Sequence, residues 1–287
     1  MYPFIPRIIS ATLLFSGFTS MLSVIHGTPF SFFSLITVVG TASVFLLLFI
    51  LRLMDELKDK EIDRRLFRLR PLPSGKVFES DIRFSIMLSV IIYSTLHVLH
   101  GVALFTAMVV LVYAFAMFRF FFIPRILKRS LLLTLATHNP IIPLLLGHLT
   151  SLHLFEDHLF ADIDVPSVAL LILQFWAMSF SWEIARKIRS KDDENEYVTY
   201  SRLLGQTGAV FLAATAQTLT LAIGAYFYVS LELTSAYLGI IIIGYLAMMF
   251  TYTRFLKYPS RETSQLRPKA EVYIISVLTA SILASAL

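Results

Sequence analysis

Long apolar runs dominate the pattern of hydrophobic and polar positions along this chain of 287 residues. Each run is close to the roughly 20 residues that a helix needs to cross a bilayer. A helix is expected in each, because a segment surrounded by lipid must satisfy its backbone polar groups internally. The nine runs cover residues 7–26, 30–54, 79–98, 101–122, 130–150, 166–186, 204–229, 233–256 and 269–286. The pattern predicts an all-α, polytopic membrane protein with about nine transmembrane helices.

The composition agrees with this class of protein. Hydrophobic residues make up 57% of the chain, charged residues make up 15%, and the mean hydropathy is +0.76. A soluble domain does not need so much apolar content. No long linker interrupts the runs, so residues 1–287 are predicted to form a single transmembrane domain. The chain has no cysteine, which excludes disulfides, thiolate metal sites and cysteine nucleophiles.

Basic residues concentrate in the loops that follow the second, fourth, sixth and eighth apolar runs. The other loops have almost none, and residues 151–165 are acidic instead. Because short cytoplasmic loops of membrane proteins are enriched in Lys and Arg, the four basic loops are predicted to face the cytoplasm. The N-terminus is then cytoplasmic and the C-terminus lies outside. The net charge of +5 is attributed to topology and to contacts with membrane lipid, and no nucleic-acid partner is expected.

The most informative polar stretch follows the second run, over residues 52–75, and reads RLMDELKDKEIDRRLFRLRPLPSG. Asp55, Asp59 and Asp63 are spaced four apart, so a helix would stack them one turn apart on one face. Stacked carboxylates repel one another unless a cation lies among them. Mg²⁺ prefers oxygen ligands and usually binds one or two protein carboxylates together with substrate phosphates and water. The spacing therefore predicts a Mg²⁺–diphosphate site, and a solvated helix end with mixed charges is the alternative.

This stretch resembles the first Asp-rich motif of the UbiA-type intramembrane prenyltransferases. The motif of that family reads N-D-x-x-D-x-x-x-D and precedes a basic stretch and R-P-L-x-S-G. Here Asp55 stands where the family usually has Asn, and Glu56 stands where it has Asp. Asp59 and Asp63 match directly, and residues 70–75 read RPLPSG, which is the more specific half of the match.

The resemblance implies a fold of helices around a central cavity and assigns roles to individual residues. Catalytic roles fall on Asp55, Asp59, Asp63 and Arg70, and the three aspartates are expected to be Mg²⁺ ligands. Arg52 and Lys58 are expected to bind the diphosphate.

A second charged stretch follows the sixth run, over residues 182–205, and reads WEIARKIRSKDDENEYVTYSRLLG. The family usually carries a second D-x-x-x-D pair here, and this chain lacks it. Either Glu183 with Asp192 or Asp193 completes the metal site, or cations replace part of it, since Arg and Lys neutralise diphosphate without a metal. We favour a mixed site with Glu183 and Asp192 as metal ligands over a loop that only signals topology. The phosphate-binding cations would be Arg186, Lys187 and Arg189.

A few polar residues lie inside the apolar runs. His138 and Asn139 precede Pro140 in the fifth run and could line an acceptor pocket, because polar groups at membrane depth usually face a cavity. A helix–helix hydrogen bond near a proline kink is the alternative. The same two interpretations apply to Gln174 and Gln217.

Five other histidines, in or near the apolar runs, form no metal-binding sequence pattern such as H-E-x-x-H. They are predicted to be interfacial residues near the outer surface. They are His97, His100, His148, His153 and His158.

The resemblance implies a Mg²⁺-dependent transfer of an isoprenoid group from a polyprenyl diphosphate to a hydrophobic or aromatic acceptor inside the bilayer. The diphosphate would bind at the cytoplasmic mouth, between the two charged loops, and in a bacterium the protein would lie in the cytoplasmic membrane. One alternative is an acceptor-free terpene cyclase of the same fold. A lipid transporter is less favoured, because a transporter would place ionisable groups at the membrane midplane and here they lie at one face.

Overall fold

The computed structural model describes residues 4–98, 102–127, 129–156, 163–194 and 199–285. These residues form α-helices, short 3-10 turns and loops, and no β-strand occurs among them. The helices are α1 (Phe4–His26), α2 (Leu35–Lys58), α3 (Lys60–Leu66), α4 (Glu79–His97), α5 (Val102–Phe118), α6 (Pro124–Leu127), α7 (Leu131–His138), α8 (Ile141–Glu156), α9 (Val165–Ala185), α10 (Tyr200–Ser230), α11 (Ser235–Lys257) and α12 (Leu266–Ala284).

Six helical segments of the described chain are long and apolar enough to cross a membrane. They are α1, α2, the α7–α8 stretch over Leu131–Phe155, α9, α10 and α11, and a shorter apolar helix covers Ala103–Phe118. The predicted all-α, polytopic membrane protein is thereby confirmed. The number of nine transmembrane helices stays a prediction.

Two apolar runs are interrupted where the sequence pattern indicated none. The fifth run divides into α7 and α8 at Asn139 and Pro140, because proline lacks a backbone N–H and disfavours helical geometry in the preceding residue. The fourth run ends in a turn in which Phe120, Phe121 and Phe122 have φ values of +51°, +49° and +62°. This left-handed conformation costs about 1–2 kcal/mol per residue, so contacts around the turn must offset it.

The helices group into two compact units. The first contains the described residues of Met1–Phe15 and Ser31–Ala161. Within it α2 packs against α4, α5 packs against α8, and α2 also contacts α5 and α8. Gly40 of α2 allows a close approach to α1, because a side chain there would overlap the ring of Phe15.

The second unit contains the described residues of Ser16–Phe30 and Asp162–Leu287. Helix α10 packs between α9 and α11, and α12 contacts both α11 and α9. Asp164 caps the start of α9, and hydrogen bonds from the hydroxyl and the backbone N–H of Ser167 lower the pKa of this carboxyl group. The assignment of the whole chain to a single domain stays a prediction.

Candidate active site

The first charged stretch places its three aspartates on successive helical turns. Helix α2 ends at Lys58, and Asp59 lies at its junction with α3. The backbone N–H of Asp59 donates to Asp55 O at 2.9 Å, and that of Asp63 donates to Asp59 O at 2.9 Å. Helical hydrogen bonding therefore continues across the junction, which confirms the stacking that the spacing predicted. The exposure of the side chains falls along the row, from Asp55, which is exposed, through Asp59, which is half-buried, to Asp63, which is buried.

Asp63 differs from the other two aspartates because Arg70 neutralises it. Arg70 Nη1 donates to both carboxylate oxygens of Asp63, at 2.6 and 2.7 Å. The guanidinium also lies over the ring of Phe67, at 4.1 Å from the ring centroid. A buried carboxylate needs such a partner, since an unpaired charge in the interior is costly. The structure thus joins two residues that were predicted to be catalytic into one ion pair.

The turn after this ion pair is held by its own backbone. The N–H of Ser74 donates to Arg70 O at 2.9 Å, and the N–H of Lys76 donates to Pro71 O at 3.0 Å. Gly75 has a φ of +73°, which glycine adopts without the steric penalty of a side chain. The RPLPSG sequence therefore forms a compact turn that fixes the position of the Arg70 backbone.

Lys58 and His138, predicted to bind different substrates, lie side by side. The Lys58 ammonium is 3.1 Å from His138 Nε2 and 3.3 Å from the backbone oxygen of Met117. It also lies over the ring of Phe120, at 4.2 Å from the ring centroid, and so contacts the left-handed turn. Asn139 is half-buried at the end of α7. The sequence pattern carried no signal for the contact with Phe120, which depends on the unusual backbone of that turn.

Two further ion pairs surround the first charged stretch. Arg52 pairs with Glu56, which lies one turn further along α2. Lys60 of α3 pairs with Glu79 at the start of α4, with a distance of 3.2 Å between Nζ and Oε1. Arg52 lies on the last turns of α2, the helix end that also carries Asp55, and its role in diphosphate binding stays a prediction.

In the second charged stretch, Glu183 lies among cations of the same helix end. Its Oε2 accepts from Arg186 Nε at 2.5 Å, and its Oε1 is 3.0 Å from Lys187 Nζ. The Arg186 guanidinium lies 5.1 Å from the ring centroid of Trp182, and Lys187 Nζ lies 5.5 Å from that of Tyr200. The spacings of three and four residues bring these groups together on one helical face.

Arg189 is held by contacts with Asp193 and Ser201, and its Nε atom is a buried donor without a partner in the described chain. Its Nη1 is 3.1 Å from Asp193 Oδ2, and its backbone N–H donates to Ser201 Oγ at 2.9 Å. Asp192 is exposed and makes no ion pair within the described chain.

Sequence reasoning missed the role of Glu194 in this stretch. Its carboxylate accepts from Thr199 Oγ1 at 2.6 and 2.8 Å and from Ser201 Oγ at 2.7 Å. Both hydroxyl groups lie at the start of α10, where Thr199 is the capping residue. The hydrogen bonds tie the loop to the start of α10.

The donor set of the first stretch fits a Mg²⁺ ion that arrives with a diphosphate. No group of three or more His, Asp or Glu side chains in the described part of the chain is placed to hold a metal ion by itself. Asp55 and Asp59, one turn apart, supply the one or two carboxylates that Mg²⁺ usually takes beside phosphate and water. Asp63 already shares both oxygens with Arg70, so it is less suited to direct coordination than the other two.

The prediction that the histidines are interfacial was wrong for three of them. His97 and His148 are fully buried, and His153 is only 7% exposed. Periodicity could not reveal the burial of His97 and His148, because these two side chains face each other between α4 and α8. His100 and His158 lie outside the described residues.

Gln174 favours the helix–helix interpretation. It is buried, and its Nε2 donates to Thr220 O and to Tyr237 Oη, both at 3.3 Å. Gln217 is buried as well, and its side chain lies beside the hydroxyl group of Tyr252 on α11.

The profile of the UbiA prenyltransferase family matches residues 13–275. The chain therefore belongs to the UbiA prenyltransferase family, whose members are multi-pass membrane proteins that carry out prenyl transfer within the membrane. No curated protein sequence matches the chain.

Two solved structures are similar over nearly the whole chain. The apo structure of a UbiA homolog from Aeropyrum pernix K1 has 17% identity and a TM-score of 0.73, with 100% of each chain covered. A structure that concerns digeranylgeranylglyceryl phosphate synthase in membranes has 19% identity and a TM-score of 0.63, with 98% of each chain covered. At these identities, the similarity establishes the fold alone.

Proposed function

We propose that this protein transfers an isoprenoid group from a polyprenyl diphosphate to a hydrophobic or aromatic acceptor, inside the bilayer and with Mg²⁺. Membership of the UbiA prenyltransferase family supports the class of reaction. One observation carries the finer assignment, namely that Asp55 and Asp59 lie on successive turns at the cytoplasmic end proposed for α2. Carboxylates one turn apart suit an ion that also binds phosphate oxygens.

Asp55 and Asp59 would hold the Mg²⁺ ion, and Asp63 with Arg70 would fix the α3 turn that carries this row. Bound there with diphosphate, the ion would neutralise the negative charge that develops on the leaving group. Lys58 and Arg52 lie on the same end of α2 and would add positive charge. Preorganised charges of this kind act strongly in a site that excludes water.

The reaction begins when the bond between C1 of the isoprenoid and the diphosphate oxygen breaks, and the electron pair leaves with the diphosphate. An acceptor carbon or oxygen then forms a bond to C1 and releases a proton. Apolar surroundings protect the allylic cation from water, which would otherwise capture it. His138, which contacts Lys58 at 3.1 Å, is proposed with Asn139 to line the acceptor pocket.

The second charged stretch is proposed to contribute cations that bind phosphate and carboxylates that bind a metal ion. Arg189 supports this role, because its Nε is buried and has no hydrogen-bond partner in the described chain. Arg186 and Lys187 would bind phosphate, while Glu183 and Asp192 would contribute carboxylate oxygens to a second ion. A bidentate contact from Arg suits a diphosphate oxygen pair better than an ammonium does.

The test incubates the purified full chain with several prenyl diphosphates, with and without candidate acceptors, and identifies products by mass spectrometry. The expected result is a prenylated acceptor that forms with Mg²⁺ and is absent with a chelator. A cyclised hydrocarbon formed without acceptor would replace the transferase by the cyclase alternative. Intact donor under every condition, from folded protein, would contradict the proposal.

The charged loops are proposed to face the cytoplasm. Because the natural chain has no cysteine, single cysteines can be introduced at Lys76, after α3, and at Glu232, in the turn before α11. A membrane-impermeant reagent applied from outside intact cells should label the second position and spare the first. Labelling of position 76 alone from outside would reverse the orientation.

A further inference from the structure

Two buried histidines meet inside the first compact unit. His97 of α4 and His148 of α8 are both fully buried, and their Nε2 atoms are 3.0 Å apart. Ser43 of α2, also fully buried, places its Oγ 3.2 Å from His148 Nε2. Three polar atoms from three helices therefore converge on one point in an apolar interior.

The opposite ring nitrogens of both histidines are also held. His97 Nδ1 donates to the backbone oxygen of Tyr93 at 2.7 Å, because a carbonyl oxygen can only accept. His148 Nδ1 is 3.1 Å from Thr106 Oγ1. Histidines that bind metals are usually oriented in this way, by a hydrogen bond from the other ring nitrogen to a carbonyl or a second polar group.

These contacts determine which ring nitrogen of each histidine carries the hydrogen and which one presents a lone pair to the centre of the cluster. With its hydrogen on Nδ1, the neutral ring of His97 presents the Nε2 lone pair to His148 and Ser43. His148 Nε2 and Ser43 Oγ can both present lone pairs to the same point. Converging lone pairs repel one another unless an electrophile lies between them. That electrophile is either a shared proton or a metal ion.

We propose that His97, His148 and Ser43 form a binding site for a transition-metal ion that imidazole accepts, Cu⁺ or Zn²⁺. Imidazole is a good ligand for both ions. Nitrogen ligands about 2.0–2.1 Å from a tetrahedral Zn²⁺ lie about 3.3 Å apart. The distance between the two Nε2 atoms, 3.0 Å, therefore needs to increase by only a few tenths of an ångström. The ion would link α2, α4 and α8, and this role is separate from the aspartate row.

Cu⁺ fits the electrostatics of the cluster better than Zn²⁺. The described chain brings no group of three or more His, Asp or Glu together as a metal site, so the cluster has no carboxylate to offset a second positive charge. Burying a charge without a counter-charge is expensive, and the cost rises with the charge. The buried hydroxyl of Tyr93, on the turn before His97, lies beside Ser43 and places a further oxygen atom next to the cluster.

The test measures metal content in the intact protein, purified without a polyhistidine tag and stripped with a chelator. The protein is then incubated with buffered Cu⁺ or Zn²⁺, desalted and analysed by elemental mass spectrometry. We expect one equivalent of metal per chain, and at least about 100-fold weaker binding in His97→Gln and His148→Gln. Thr106→Val, which removes the hydrogen bond to His148, should weaken binding by about 10–100-fold. His26→Gln is the matched control, because His26 lies in the second unit.

A second set of measurements begins with the wild-type protein. X-ray absorption at the metal edge of the loaded wild-type protein should show imidazole nitrogens at about 2.0 Å and no sulfur, since the chain has no cysteine. Metal should also raise the Tm of the wild-type chain, as any ligand of the folded state does. No bound metal in the wild-type chain, or full binding by the His97→Gln/His148→Gln double variant, would overturn the site and leave a shared proton between the rings.

Discussion

In the stretch after α2, three aspartates lie on successive turns of one helical row, whereas in the stretch after α9 Glu183, Asp193 and Glu194 alternate with the cations and hydroxyl groups that they contact. Asp59 follows Asp55 by one turn along the helical hydrogen bonds. Glu183, in contrast, contacts Arg186 and Lys187 of its own helix end. The two stretches contain similar residue types, and their spacing makes the difference.

The comparison indicates how the two stretches would respond to a ligand. Like charges one turn apart destabilise a helix, so the aspartate row gains most when a divalent cation binds. Paired charges three and four residues apart stabilise the helix by themselves, so Glu183 is expected to gain less from a metal ion than the aspartate row does. We therefore expect Mg²⁺ to matter most to the first stretch, and the second stretch to act mainly through its cations on the phosphate groups of the donor, with a smaller contribution of Glu183 to the Mg²⁺ requirement.

The largest effect is expected from Asp59→Ala. Removing a group that stabilises charge in the transition state commonly lowers turnover by about 100–1,000-fold, and folding should be unaffected because Asp59 is half-buried at a helix junction. Turnover with Mg²⁺ and Tm in detergent are measured together. Glu61→Ala is the matched control, because the Glu61 side chain is 73% exposed and its ion pair with Arg64 is long, at 3.8 Å. Turnover within about twofold of wild type would remove the metal role.

A smaller effect, on stability, is expected from Arg70→Ala. Asp63 is then left buried without its cation, which should lower the free energy of unfolding by about 1–3 kcal/mol. The loss of unfolding free energy should be smaller than for a fully buried ion pair, because the Arg70 side chain is 38% exposed. Thermal unfolding in detergent measures the change.

The control for this variant is Arg64→Ala, whose exposed ion pair should contribute less than about 1 kcal/mol. Adding Asp63→Asn to Arg70→Ala should recover part of the stability, because the unpaired charge is removed. Equal unfolding temperatures for Arg70→Ala and Arg64→Ala would contradict the proposed role of the ion pair.

The next effect in size is expected from Arg186→Ala. This variant should raise the KM for the donor about tenfold and leave kcat nearly unchanged, because it loses a charged hydrogen bond to the donor that contributes about 1.5 kcal/mol. Arg186→Lys should rescue only part of the loss, because an ammonium cannot make the planar two-bond contact. Glu183→Gln should instead raise the Mg²⁺ concentration required. Initial rates over a grid of donor and Mg²⁺ concentrations separate the two. Wild-type behaviour of both variants would make this stretch a topology signal only.

The smallest effect is expected from Asp55→Asn. The substitution keeps an oxygen ligand of the same shape at the exposed start of the row, and the family usually carries Asn at this position. Activity should fall by about threefold or less, with a modest increase in the Mg²⁺ requirement. A loss as large as that of Asp59→Ala would show that the charge at position 55 is essential and that the row acts as a triad.

Much of the candidate site could be located from the sequence because its spacing is local. The row of aspartates depends only on helical geometry over two turns, and that geometry is present. The pairing of Asp63 with Arg70 could not be foreseen, since it depends on how the chain turns after α3. The contact of Lys58 with His138 joins residues 80 positions apart, and no local pattern describes it.

The apolar runs of the sequence by themselves determined a helical membrane protein, because lipid leaves the backbone no other way to satisfy its hydrogen bonds. The four-residue spacing determined the row of aspartates for an equally local reason. Only the tertiary structure decided that His97 and His148, 51 residues apart, meet in the interior and that Arg70 returns to Asp63. The contact between the histidines depends on the packing of several helices, and packing follows from shape complementarity that no single segment contains. The return of Arg70 depends on the turn that the chain makes after α3, which helical spacing does not describe.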